Sequence, residues 1–257
     1  MSDFDIHASF SDLGIKKDDI VMIHGDAGVA AQYSNIPLDK RLDYLINSIK
    51  DFFSDVGTIL VPTFTYSSTK NEVYNVQETE SSVGLFSERF RHGADVKRSN
   101  HPIFSVCTWG KLADHFLEGS NQDCFGTGSF FDLVLDSNVK LVTLGCDLSR
   151  ITFVHYVEQK KLVSYRYFKN FKGKVVDNGK EQDVMTNYFV RDTGLKSACN
   201  LSLFAKAAKK NKLLRSGAAG RFPIEVISSS DFLKTANDLL AINHYSLIDE
   251  GCQNDEI

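Results

Sequence analysis

The order of the first elements constrains this chain most. Residues 19–24 form a short β-branched apolar run that ends in a small-residue turn at 25–28. Apolar side chains then recur at helical spacing over 38–53, which predicts an amphipathic helix. Residues 57–62 form a second buried apolar run closed by a proline. A strand, a helix and a strand in this order indicate an α/β layer with a sheet in the middle.

The rest of the chain continues the same mixture. We predict a third buried strand at 140–145 and a helix at 152–162. Residues 165–171 alternate aromatic and basic side chains, as a half-solvated strand does, and a turn at 177–179 leads into its partner strand. Further helices are predicted over 85–92, 195–210 and 229–242. Ser229 or Ser230 suits the N-cap of the last helix.

No linker, repeat or low-complexity tract interrupts the 257 residues, so we expect one domain spanning 1–257. The polar stretch 66–82 has no periodicity and is predicted to be a long surface loop, of the kind that is often functional or mobile.

Charge and cysteine usage exclude several classes of protein. The 29 basic and 33 acidic residues leave no basic excess for nucleic acid. The N-terminus lacks a signal-peptide pattern, and no apolar stretch approaches a membrane span, so we expect a cytoplasmic protein that does not bind membranes. The five cysteines are an odd number without a CxxC pair, which indicates reduced thiols and no metal site. We expect none of them to be catalytic.

His155 and Glu158 are the strongest candidates for chemistry. Their separation of three residues makes them neighbours on one face of the predicted helix. A carboxylate at that spacing can accept the imidazole N–H and leave the other ring nitrogen free to take a proton. Isolated pairs of this kind also occur as core or surface pairs without a function.

Two loops could bind a ligand. Residues 98–105 place Arg98, Ser99 and a histidine before a proline, which suits an anion or polar ligand but also an ordinary polar loop. Residues 125–130 are small enough for close backbone approach to a ligand. Neither a Walker loop nor a G-x-G-x-x-G fingerprint is present.

Together these segments resemble the antibiotic N-acetyltransferase family, the aminoglycoside 3-N-acetyltransferase-like enzymes. The family pattern is a strand ending in His, then GT-apolar-PTF, RS-x-HP-x-x-S, G-x-x-A, a G-x-x-S loop and T-x-x-H-x-x-E. In this chain it reads His24, Gly57-Thr58 with Pro62-Thr63-Phe64, residues 98–105, residues 110–113, residues 126–129 and residues 152–158. The resemblance covers most of 15–160 and extends loosely to about 245.

The resemblance implies a three-layer α/β/α fold around a mixed sheet. It also implies transfer of an acetyl group from acetyl-CoA to a primary amine, without a metal. The implied catalytic residues are His155, Glu158 and Asp192. The implied acetyl-CoA-binding residues are His24, Gly25, Asp26, Ala27, Gly28, Arg98, Ser99, Ser105, Thr127 and Thr152. Backbone N–H groups of 24–29 or the Thr152 hydroxyl are candidate oxyanion donors. A homodimer is compatible with the sequence.

The sequence departs from the family pattern at two positions, and the second bears on the substrate. Phe130 follows Ser129 where the family has proline, and Val190 stands where the family often has a glutamate two residues before Asp192. Loss of that acid, together with a basic cluster at 206–215, favours a nucleotide-linked amino sugar of surface polysaccharide synthesis. Acids in the 66–82 loop favour the alternative, an aminoglycoside whose acetylation confers antibiotic resistance. A second alternative is a catalytically dead CoA-binding protein.

Overall fold

The computed structural model describes residues 4–120 and 122–249. The helices of this part of the chain are α1 Ile6–Asp12, α2 Arg41–Phe53, α3 Leu85–Arg91, α4 Phe130–Asp136, α5 Phe153–Lys161, α6 Ser202–Lys210 and α7 Ser229–Ile242. The strands are β1 Ile20–Gly25, β2 Thr58–Pro62, β3 Val73–Asn75, β4 Lys97–Arg98, β5 Val106–Gly110, β6 Lys140–Leu144, β7 Arg166–Asp177, β8 Lys180–Arg191, β9 Arg215–Ala219 and β10 Phe222–Ser228.

A seven-stranded mixed sheet forms the centre, in the order β4-β5-β2-β1-β6-β10-β9. β1 runs parallel to both of its neighbours: Val21 pairs with Ile59 of β2 and with Lys140 of β6. The outer pairings are antiparallel. The three parallel strands are covered on both faces, which explains why they are nearly continuous apolar runs in the sequence.

Helices cover both faces of this sheet. Side chains such as Val21 and Ile23 pack with α1, α2 and α3, whereas Met22 between them packs with α4 to α7 on the opposite face. The alternation follows from the two-residue period of a strand. The predicted α/β fold, with helices on both sides of a mixed sheet, is confirmed.

A second, three-stranded sheet has the order β3-β7-β8. β7 and β8 pair over twelve residues each and form a long hairpin. The predicted turn is confirmed, with Asn178 and Gly179 at φ +47° and +74°, the left-handed conformation that two-residue hairpin turns require. The predicted loop 66–82 contains β3, which the sequence could not show because only three residues pair with β7.

One predicted helix start and one predicted N-cap were wrong, whereas the predicted bounds 229–242 of α7 are confirmed. The helix expected from residue 195 begins at Ser202, whose N–H donates to the Asn200 side chain at 3.0 Å. The N-cap of α7 is Ser228, which accepts from the N–H of Asp231, and not Ser229 or Ser230. Within the described residues, no helix has the combination of length and apolar character that spanning a membrane requires.

Gly110, at the end of β5, offers a test of this packing. It has φ +103°, and a Cβ built there would lie 2.3 Å from the Gly57 carbonyl oxygen. Gly128 also has a positive φ, +75°, but a Cβ there would meet nothing within 4 Å. We expect Gly128→Ala to lower the free energy of unfolding by about 1 kcal/mol. Gly110→Ala should lower it by about 2–3 kcal/mol, because backbone must also move. Equal losses in urea unfolding would contradict the steric argument.

Candidate active site

A cavity of about 720 Å³ opens at the carboxyl ends of β1, β2 and β6. Because these strands are parallel, the segments that follow them meet at one edge of the sheet. The chain leaves β1 toward α2 on one face and β6 toward α5 on the other, and such a divide opens a crevice where ligands bind in α/β sheets. The cavity is lined by residues 24–27, Pro62, Phe64, Tyr66, residues 82–85, Ser87, Cys146, Ser149, Arg150, Thr152 and His155.

The turn after β1 forms one wall of the cavity. Gly25 has no room for a side chain, because a Cβ there would lie 2.6 Å from the Phe86 ring. Asp26 caps the following 3₁₀ turn and accepts from the N–H of Gly28 at 2.6 Å. The N–H groups of Asp26 and Val29 donate to the carbonyl oxygens of Leu144 and Asp26. Three of the backbone donors predicted for this turn are therefore already engaged.

α5 places His155 at the cavity and Glu158 behind it. The Nδ1 atom of His155 lies 2.7 Å from Oε2 of Glu158. The His155 side chain is 21% exposed, whereas that of Glu158 is fully buried. The predicted contact between these two side chains is present, and it leaves Nε2 as the ring nitrogen that can take a proton.

Two further side chains meet the Glu158 carboxylate. The Tyr165 hydroxyl donates to Oε1 at 3.1 Å, and Nε of Arg166 forms an ion pair with Oε2 at 2.7 Å. Burial opposes ionisation of Glu158, but His155 and then Arg166 outweigh it and hold the pKa of the carboxyl below its ordinary value. Burial, followed by the Arg166 charge, lowers the pKa of His155. A neutral imidazole therefore sits beside an ionised carboxylate at neutral pH, as a general base requires.

His24, the last side chain of β1 before the turn, is also buried in the cavity wall. Burial lowers its pKa to about 4, so the ring is neutral at neutral pH. Its Nε2 atom lies 3.5 Å from the backbone N of Thr152, a long hydrogen bond that links the end of β1 to the start of α5. The Thr152 side chain makes no capping hydrogen bond at this helix start.

Arg98 lies outside the cavity lining and braces the loop behind it. Its guanidinium donates to the carbonyl oxygens of Val76 and Thr79 at 3.2 and 2.5 Å and to that of Thr63 at 2.7 Å. It also lies over the Tyr74 ring, 5.2 Å from the centroid. These contacts use the side chain to hold residues 76–79 against the end of β2.

Five other predicted site residues also lie outside the cavity lining: Gly28, Ser99, Ser105, Thr127 and Asp192. The hydroxyl of Ser99 accepts from the N–H of Val106, and that of Ser105 is buried and donates to the Thr63 carbonyl. Thr127 is exposed in the loop before α4. Asp192 accepts from the N–H of Gly194 at 2.8 Å in a turn after β8, and the described contacts of Glu158 do not include it.

Tyr165 and Arg166 are the functional candidates that sequence reasoning missed. A strand of alternating aromatic and basic residues predicts exposed cations, and β7 does expose Lys169. Where β7 begins, however, the chain contacts Glu158 of α5, so Tyr165, just before the strand, and Arg166, its first residue, are both buried. The sequence signal for this is faint: an arginine beside tyrosine, eight residues after Glu158.

Volume alone does not identify the site. A second cavity of about 710 Å³ lies between residues 117–120 and 122 on one side and the β7–β8 hairpin on the other, and its lining includes the amide side chains of Asn170, Gln182 and Asn187. Its lining residues include no histidine or cysteine. In the part of the chain that the structure describes, no group of three or more metal-ligating side chains is assembled. Of these two cavities, only that of His155 has an imidazole in its lining.

Comparison with known proteins gives a consistent result. A family model described as aminoglycoside 3-N-acetyltransferase matches residues 22–241. In Bacillus subtilis (strain 168), the SPbeta prophage-derived aminoglycoside N(3')-acetyltransferase-like protein YokD is 32% identical over 110 residues, 41% of this chain and 39% of YokD. The alignment thus spans about two fifths of that curated relative.

Solved structures share the fold at lower identity. The crystal structure of YokD matches with a TM-score of 0.74 and 21% identity, covering 93% of this chain and 98% of that one. AAC-IIIb in a binary complex with CoASH has a TM-score of 0.77 and 19% identity over 92% and 95% of the two chains. AAC-VIa bound to sisomicin has a TM-score of 0.77 and 17% identity over 92% and 96%.

The surroundings of Cys146 predict a thiol that reacts slowly with alkylating reagents at neutral pH. Cys146 lines the cavity, and its thiol donates to the His24 carbonyl oxygen at 3.2 Å. Burial raises its pKa to about 11. Because the thiolate is the reactive form, we expect alkylation of Cys146 by iodoacetamide to rise about tenfold per pH unit from pH 7 to 10. Peptide mass spectrometry measures it. An alkylation rate that levels off near pH 7 would reveal an activated thiol. Of the five cysteines, Cys252 lies outside the described residues.

Proposed function

Since this chain belongs to the aminoglycoside 3-N-acetyltransferase family, we propose that residues 1–257 form one catalytic domain that transfers an acetyl group from acetyl-CoA to a primary amine of an aminoglycoside. The observation that carries the proposal is the contact of 2.7 Å between His155 Nδ1 and the buried Glu158, at the edge of an open cavity. The complexes of relatives with CoASH and with sisomicin support both substrates.

His155 is the proposed general base. The amine nitrogen attacks the thioester carbonyl carbon, the C–S bond breaks, and the nitrogen loses one proton, which Nε2 of His155 accepts. Glu158 holds Nδ1 and stabilises the imidazolium while it carries that proton. The proton then passes to the departing thiolate, so that the products are the N-acetylated amine and the CoA thiol.

The tetrahedral intermediate carries an oxyanion that needs a hydrogen-bond donor, and one such donor is typically worth about 2.7–4 kcal/mol. The Thr152 hydroxyl is our candidate. It lies at the cavity one turn before His155, and helix capping does not use it. The backbone donors of Asp26, Gly28 and Val29 are less suited, because each already has a partner.

The acceptor proposed here differs from the one favoured by the sequence. The family description and the relatives support an aminoglycoside, and none supports a nucleotide-linked sugar. The basic cluster at 206–215 and the acids of the 66–82 loop do not decide between the two acceptors. From the basic cluster, Lys209 pairs with Glu225 and Arg215 donates to the Leu13 carbonyl, and neither lines the cavity. In the acidic loop, Glu78 accepts from Asn75, and it too lies outside the lining.

A catalytically dead CoA-binding protein remains the rival function. It would need a disabled base, whereas His155 is neutral, oriented and open to the cavity. The intact pair therefore favours an enzyme.

Substitution of the base tests the mechanism. We expect His155→Gln to lower kcat by about 10²–10⁴-fold, because general-base catalysis contributes that much. Thiol release from acetyl-CoA with sisomicin as acceptor measures it, and isothermal titration calorimetry measures retained acetyl-CoA binding. His115→Gln is the matched control: its ring is 42% exposed and lies outside the cavity lining. If His155→Gln keeps a third of wild-type turnover, His155 is not the base.

A panel of acceptors tests the substrate class. We expect thiol release with sisomicin and gentamicin to exceed that with UDP-linked amino sugars in kcat/KM by at least about tenfold, or 1.4 kcal/mol in transition-state binding. The reverse order would restore the nucleotide-linked acceptor. Acetyl-CoA binding without turnover of any amine would favour the dead protein.

A further inference from the structure

The contact between Arg166 and the ring of His155 is not explained by the pairing of His155 with Glu158 alone. Nη2 of Arg166 lies 2.8 Å from Nδ1 of His155, the same nitrogen that lies 2.7 Å from Oε2 of Glu158. Nδ1 offers one hydrogen-bonding position in the plane of the ring. A guanidinium only donates and an ionised carboxylate only accepts, so the two neighbours compete for that position.

The carboxylate wins this competition. A hydrogen bond between an N–H and a carboxylate is charge-assisted, and without the proton the Nδ1 lone pair would face a negative oxygen at 2.7 Å. The proton therefore lies on Nδ1, and Nε2 carries the lone pair. Arg166 then remains against the ring as a positive charge, which opposes addition of a second proton.

Burial and three contacts hold Arg166 in this position. Its side chain is 3% exposed, Nε pairs with Glu158 Oε2 at 2.7 Å, and Nη1 donates to the Phe189 carbonyl at 3.1 Å. The guanidinium is thus held from three sides between α5 and β8. A lysine has one charged nitrogen and cannot make these three contacts at once.

Among the charged groups around His155, Arg166 is the buried cation that contacts the ring directly. These groups are Glu158 on its own helix, Arg166 on β7, Arg191 on β8, and Asp26 and Arg150 at the cavity. The other titratable groups of the cavity are uncharged at neutral pH, because burial sets the pKa of Cys146 at about 11, of Tyr66 at about 12 and of His24 at about 4.

We propose that Arg166 is a positioning residue for acetyl transfer, which holds Glu158 against Nδ1 and keeps the His155–Glu158 pair from taking up a proton. Without Arg166, neutral His155 and ionised Glu158 would form a pair with a net negative charge, which attracts a proton. With Arg166, the three groups together are neutral until His155 accepts the proton of the substrate. The role rests on the proposed function, but the ring's protonation can be measured without substrates.

The decisive experiment is a pH titration of the imidazole nitrogens by NMR in full-length protein labelled with ¹⁵N-histidine. The His155 signal is assigned by its loss in His155→Gln. We expect the wild-type ring to be neutral with the proton on Nδ1 to low pH. In Arg166→Met, proton uptake by the pair should move to higher pH by about one unit or more, the usual effect of removing a charge in contact.

Arg191→Met is the matched control. Arg191 pairs with Arg166 across the two strands but is exposed, so solvent screens its charge. Its loss removes one positive charge from the same hairpin and should move the titration by less than about 0.3 unit. A shift equal to that of Arg166→Met would overturn the proposal, as would a titration of Arg166→Met identical to the wild type.

Arg166→Lys keeps the proposal testable if Arg166→Met does not fold, which circular dichroism shows. Lysine retains the charge but not the three contacts, so the titration should stay near the wild type while kcat falls at least about tenfold with KM for acetyl-CoA unchanged. Wild-type kcat in Arg166→Lys would remove the positioning role. If no amine is acetylated by any variant, the proposed function fails, and the NMR titration still decides the role of Arg166.

Discussion

The arrangement of the candidate site depends on the burial of the Glu158 carboxylate. A fully buried charge is tolerated only with partners, and loss of one partner of a buried pair typically costs about 3–5 kcal/mol. The chain supplies these partners locally. α5 ends at Lys161, and its C-cap Leu162 has φ +48°. This reversal brings Tyr165 and Arg166 back onto the carboxylate at the start of β7. The hairpin is thereby anchored to the helix that carries His155, so the same contacts join the two sheets and orient the base.

The parts of the fold that could be predicted are those governed by local periodicity. The central strands are buried on both faces and appear as unbroken apolar runs, and α7 shows its full extent through its apolar spacing. The start of α6 could not be predicted, because the side chain of Asn200, outside the apolar pattern, decides it. β3 pairs over only three residues with a strand a hundred positions away, and such pairing leaves no periodicity in the sequence.

In the candidate site, too, contacts within one element were predictable from the sequence, whereas contacts between distant segments were not. His155 and Glu158 were predictable because one turn of helix brings them together. The contacts of Arg98 were not, because they depend on where the loop of residues 76–79 lies in three dimensions. A motif of Arg, Ser and His before proline is chemically suited to an anion, yet the same donors satisfy backbone carbonyl oxygens just as well. Arg166 shows the reverse case, in which a residue that the strand pattern predicts to be exposed becomes the buried neighbour of the base.

A base with a lowered pKa suits a reaction in which the proton only passes through it. A free alkylammonium has a pKa of about 10.4 and a thiol one of about 8.5, both above that of an ordinary imidazole at about 6.5. In the proposed mechanism, His155 therefore does not deprotonate the ammonium at rest, and the amine reaches the cavity uncharged. Once the N–C bond forms, the nitrogen becomes strongly acidic and gives its proton even to a weak base. An imidazolium that holds its proton poorly then protonates the departing thiolate readily, since the thiol is the weaker acid. Burial and the charge of Arg166 both lower the pKa of His155. In the proposed mechanism, protonated His155 therefore gives its proton to the thiolate more readily.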